Sequence, residues 1–63
     1  MNAHRYVWHA GDTLVGVAGA NLAAAGYDDV YTLISDIYAA NPTTVDWFQI
    51  TSGTVILIPY KTG

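Results

Sequence analysis

The chain contains no cysteine, and only two basic and five acidic side chains among its 63 residues. Without cysteine, disulfide frameworks and the cysteine-rich kinds of zinc site are excluded. Arg5 and Lys61 are the only cations and sit near opposite ends. No basic patch exists to neutralise phosphates, which excludes nucleic acid as a partner. Long hydrophobic runs are missing as well: Asp12, Asn21, Asp28-Asp29 and Asp36 interrupt the first two thirds. No stretch reaches the 18 or so apolar residues that a membrane span needs. The short run Tyr6-Val7-Trp8 is cut by His9 and Asp12, so nothing reads as a secretory signal. The charged fraction, 11%, is far below the roughly 25% of an average soluble domain. The surface of such a chain must carry more uncharged and apolar area than usual.

What is present fits one small domain with a marginal core, since ordering costs of about 1.5 kcal/mol per residue nearly cancel the gain from burial at this length. Arg5 to His9 is rich in aromatic and β-branched residues and reads as a strand, ended by Ala10-Gly11. Asp12 is placed to cap a first helix over Thr13 to Ala24, with Leu14, Val17, Ala18 and Leu22 on one face. Gly16 and Gly19 inside it suggest a neighbouring element packed closely on a flat helix surface. Asp28 or Asp29 caps a second helix, in which Val30, Leu33, Ile34, Ile37 and Tyr38 share a face; Asn41-Pro42 ends it. A connection with a helical turn over Val45 to Phe48 leads to a last strand, Thr54 to Ile58, closed by Pro59. The expected class is α+β: a βααβ order, with a two-stranded antiparallel sheet packed against two helices.

Chemistry-bearing constellations are sparse. His4 and His9 are five apart on or beside a strand, so they face opposite ways with no third ligand nearby, and no metal site is expected. The acidic residues lack the alternating oxygens of a calcium loop: Asp12, Asp28 and Asp29 read as caps, and Asp36 as a solvent-side residue. No nucleophile or metalloprotease motif surrounds Ser35 or Ser52, so neither an enzyme nor a cofactor is expected. The aromatic residues carry more information. Trp8, Tyr27, Tyr31, Tyr38, Trp47, Phe48 and Tyr60, with Tyr6, are too many for so small a core. Tyr6, Trp8, Tyr27, Tyr31, Trp47 and Phe48 are therefore candidates for a protein interface. Those beside Gly11-Asp12-Thr13 would serve equally well to stack on sugar rings.

Four motifs occur in order. They are Tyr6 to Leu14 with Gly11-Asp12-Thr13-Leu14 at its centre, Val17-Ala18, Ile37 to Pro42, and Ser52 to Pro59. Together they resemble a LysM domain over about Tyr6 to Tyr60. That resemblance implies the same βααβ fold and a shallow groove for N-acetylglucosamine polymers, peptidoglycan or chitin. The implied groove residues are Asp12, Thr13, Leu14, Asn41, Pro42, Thr43, Thr44 and Val45. Two features depart from the common pattern: extra residues around Ala23 to Tyr31, expected to elaborate the interhelical loop, and Ser52-Gly53-Thr54 where Pro-Gly-Gln is usual. The long interhelical region and the Ala40-Asn41-Pro42 ending are more similar to the stand-alone LysM-like proteins of bacteriophage tails and related contractile machines. The implied role there is a structural adaptor of the virion tail baseplate, joining larger tail proteins. The chain's opening at Met1, its lack of export signal or linker and its low charge fit that role; a wall-binding module cut from a hydrolase is the alternative.

Overall fold

The computed structural model describes residues 2–41 and 46–61. Four elements follow one another: β1 (Asn2–Val7), α1 (Leu14–Ala25), α2 (Val30–Ala40) and β2 (Val55–Tyr60). The two strands pair antiparallel, from Asn2 opposite Tyr60 to Val7 opposite Val55, and form the whole sheet among the described residues. The expected α+β class and βααβ order are those of the structure. The first strand starts earlier than local propensity suggests and stops short of Trp8, because pairing with β2 sets its limits. Hydrogen bonding nevertheless runs one step further: Trp8 donates to Thr54 O, and Gly53 donates to Trp8 O. Gly53 and Thr54 thus both oppose Trp8, a bulge in which Gly53 takes φ 93°.

The caps differ in part from expectation. Thr13, not Asp12, caps α1, its Oγ1 accepting from the Gly16 amide at 3.1 Å. Asp29 caps α2, accepting from the Thr32 amide and hydroxyl at 3.0 Å each. Gly26 ends α1 at φ 81°, its amide on Ala23 O and that of Tyr27 on Leu22 O. Only Gly26 to Asp29 separates the helices, so the extra residues lengthen α1 and α2 and build no elaborate loop. A hydrogen-bonded turn spans 46–49, with Gln49 donating to Asp46 O; Val45, the start of the expected helical turn, lies outside the described residues.

The core gathers Trp8, Val17, Ala18, Ala25, Tyr27, Leu33, Ile34, Ile37, Ile56 and Ile58 between the helices and the inner face of the sheet. Its apolar side chains come from both periodicities, the α2 face at i, i+3, i+4 and the alternate positions of β2. Polar ties cross it. Tyr60 Oη donates to Asn21 Oδ1 at 2.7 Å, and Asn21 Nδ2 donates back to Val17 O, linking α1 to β2. Tyr27 Oη donates to Asp36 at 2.5 Å, so Asp36 is a half-buried acceptor and not the solvent-side residue its position on α2 suggests.

The most consequential polar residue is Asn41. It is 9% exposed and extended, at φ −110° and ψ 154°, as its place before Pro42 requires. Its Nδ2 donates to Ile37 O at 2.6 Å and Leu57 O at 2.9 Å, while Oδ1 accepts from Leu57 N at 2.7 Å. One amide side chain thereby plays the part of a neighbouring strand along the outer edge of β2. No buried side-chain polar atom among the described residues lacks a partner.

Burial shapes the titration of Tyr27, whose hydroxyl is pushed up to about 12, chiefly by burial and then by the bond to Asp36 and its charge. The fold holds the neutral phenol. Its contribution is therefore complete below the ordinary tyrosine value near 10 and fades as pH rises toward 12. Tyr27→Phe should lose about 1 kcal/mol at neutral pH. Melting curves of the two proteins should then converge between about pH 10 and 12; a gap unchanged across that range would refute the assignment.

Candidate functional site

A groove of about 390 Å³ lies between residues 10–14, at the end of β1, and the turn at 47–50, with Trp8 also lining it. The first wall is rigidified by one carboxylate. Asp12 Oδ2 accepts from Tyr6 Oη at 2.5 Å and from the His9 amide at 2.9 Å, and His9 Nδ1 lies 3.6 Å away. The Tyr6 hydroxyl, then the His9 amide, hold the Asp12 carboxyl below its ordinary range. The same bond to Asp12, with desolvation and the Asp12 charge, raises the Tyr6 phenol. Asp12 is thus committed to shaping its own turn, and Thr13 Oγ1 to capping α1, while Leu14 is half-buried against the core. The second wall is aromatic. Phe48 is entirely exposed, and Trp47 sits edge-on to Tyr38 with ring centroids 5.0 Å apart.

The residues expected to bind sugar do not all meet at the groove. Asp12, Thr13 and Leu14 line it, but Asn41 does not. The buried side-chain amide of Asn41 turns inward instead, with both Nδ2 donations and its Oδ1 acceptance spent inside the fold. Pro42, Thr43, Thr44 and Val45 lie outside the described residues. Gln49 and Ile50, which sequence reasoning passed over, complete the lining. Their place depends on how the connection after α2 returns to the end of β1, and no local signal marks it.

The aromatic candidates for an interface divide. Trp8 and Tyr27 are 6% and 4% exposed, part of the core and unavailable to a partner. Trp8 turns inward because strand alternation puts it on the helix-covered face. Tyr27 turns inward because the chain reverses at Gly26 and aims its hydroxyl at Asp36. Tyr6 is half-buried with its hydroxyl on Asp12. Tyr31, 70% exposed, lies one heptad before Tyr38 on α2; Tyr38 meets Trp47 of the 46–49 turn, where Phe48 is exposed. Tyr38, Trp47 and Phe48 make up an aromatic ridge, with exposed Asp46 beside it.

A surface without charge lies on α1. Val15, Gly16, Gly19, Ala20, Ala23 and Ala24 are all exposed, at spacings that put them on one helix face. Among the described residues no close neighbour covers Gly16 and Gly19 as expected: a Cβ on Gly19 would meet nothing within 4 Å, and one on Gly16 only Thr13 Oγ1, at 2.9 Å. A signal for this face was available, since α1 contains no charged residue at all.

His4 stacks on Tyr60 at 3.7 Å, away from His9. No three potential metal ligands come together among the described residues, and no described helix is long and apolar enough to cross a membrane. No family model, curated protein or solved structure matches the chain.

Proposed function

We propose that this protein is a non-catalytic, LysM-like adaptor that joins larger proteins in a bacteriophage tail baseplate or related contractile assembly. The observation that carries the reading is the surface of α1. A helix without charge on any side is characteristic of a buried element, yet six residues of this one face outward. Small side chains there let another backbone approach closely. The aromatic ridge on α2 and the 46–49 turn supplies a separate contact of a kind enriched in protein interfaces. Two surfaces on different elements, one without charge and one aromatic, suit a piece that connects two neighbours.

Ala20→Glu combined with Ala23→Glu tests this directly. Both positions are exposed and helical, so the isolated variant should melt within about 0.5 kcal/mol of the parent. It should also self-associate less in sedimentation, and particles that depend on the chain should fail to assemble. Normal assembly with the double variant would sink the adaptor role.

The groove favours a second reading, a binding module for N-acetylglucosamine polymers. Exposed Phe48 and half-buried Trp47 offer stacking surfaces beside the exposed amide of Gln49. Chitin or peptidoglycan oligomers should then quench tryptophan fluorescence saturably, and Phe48→Ser should weaken the effect. Absence of any change at millimolar sugar removes this reading and leaves the first intact.

A further inference from the structure

The two edges of the sheet are treated differently. Along β2 the outward amide and carbonyl of Leu57 are both taken by Asn41, and Lys61 N donates to Ala25 O just past the strand. Along β1, among the described residues, nothing comparable covers the edge. Antiparallel pairing alternates residues that bond to the partner strand with residues whose N–H and C=O point away. Trp8 bonds toward β2, and Leu57, opposite Arg5, points away. By alternation Tyr6 and His4 also bond inward, and the backbone groups of Ala3, Arg5 and Val7 face outward. The side chains of these three residues are exposed as well.

From this pattern we infer that β1 accepts an extended segment of a partner protein as a third strand, one that sets a carboxylate opposite Arg5. Backbone donors and acceptors at alternate residues match another strand, which could add along the edge. The side-chain pattern narrows the choice. An added strand projects one set of alternate residues beside Ala3, Arg5 and Val7, two small or apolar positions around a cation. Its matching face is an acidic residue with β-branched residues two places before and after. Charge also argues against a second copy of this chain. The two-fold antiparallel register that uses all three outward residues sets Arg5 against Arg5, and like charges directly opposite are destabilising. The edge is distinct from the α1 face, the aromatic ridge and the groove, so the inference holds or fails apart from the proposed function.

The probe is acetyl-Thr-Val-Thr-Asp-Thr-Val-Thr-amide, palindromic so that it can pair in either direction. Titrated into the chain at millimolar concentration, it should shift the amide resonances of Ala3, Arg5 and Val7 more than those of His4 and Tyr6, and slow their exchange. Replacing its aspartate by lysine should weaken binding several-fold, and Arg5→Glu should reverse that preference. N-methylating the peptide amides that face the strand should abolish binding. Because Arg5 is exposed, a retained melting temperature shows that the variant is folded. The inference is overturned by unmoved edge amides, by equal binding of the aspartate and lysine peptides, or by shifts confined to α1 or the groove. Concentration-dependent broadening of the same amides without peptide would overturn it in favour of a second copy.

Discussion

Asn41→Ala should lower the stability of the domain by about 2–4 kcal/mol, the range for breaking a buried hydrogen-bonded network. The substitution removes three hydrogen bonds at once and strips the edge of β2 of its partner. A chain of this size has a total stability of only roughly 3–9 kcal/mol, from about 0.05–0.15 kcal/mol per residue. The midpoint of thermal unfolding should therefore fall by roughly 8–32 °C, at about 4–8 °C per kcal/mol. Asn41→Asp sharpens the test because it keeps the size and shape. Its carboxylate would face the carbonyls of Ile37 and Leu57 with no proton to donate, so the loss should be at least as large at neutral pH. Equal melting temperatures for all three proteins would mean that Asn41 is a passive helix stop.

Trp8→Ala should cost about 3–5 kcal/mol, the range for truncating a buried aromatic side chain to alanine. Phe48→Ser should cost nothing measurable, because the ring makes no demand on a core it does not enter. The pair separates two roles that look alike along the chain. If the ridge meets a partner, Phe48→Ser should impair assembly while leaving denaturant midpoints unmoved, whereas Trp8→Ala should impair assembly only through unfolding. A substantial stability loss from Phe48→Ser would show that the 46–49 turn packs against the body of the protein in solution.

Where periodicity and local chemistry decide, the chain was legible. The α2 face of Leu33, Ile34 and Ile37, its cap at Asp29 and the β-branched run of β2 could all be read in place. The α1 cap is one residue later than the sequence suggests, because Asp12 and Thr13 are both good caps. Only the pull of Tyr6 and the His9 amide on Asp12 decides between them. Burial of the aromatics was harder still. Whether Trp8 or Phe48 lies inside depends on the sheet face and on the returning connection, and both are settled by contacts distant in sequence. Asn41 reads as the end of a helix, which it is; its grip on Leu57, sixteen residues on, leaves no trace in local spacing. The groove was half legible, since residues 12–14 carry a motif whereas Gln49 and Ile50 carry none.

The opposition of Asn2 and Tyr60 in the sheet has a topological consequence. The start of β1 and the end of β2 lie side by side, about 5 Å apart as neighbouring strands do, and the two strands run in opposite directions. A host polypeptide could leave one of its own surface loops, pass through this domain and resume where it left off, with almost no separation to bridge. Transplanted in that way into a carrier of known structure, the βααβ unit would be anchored by two tethers at one end, and its orientation on the carrier would be restrained without any engineered contact.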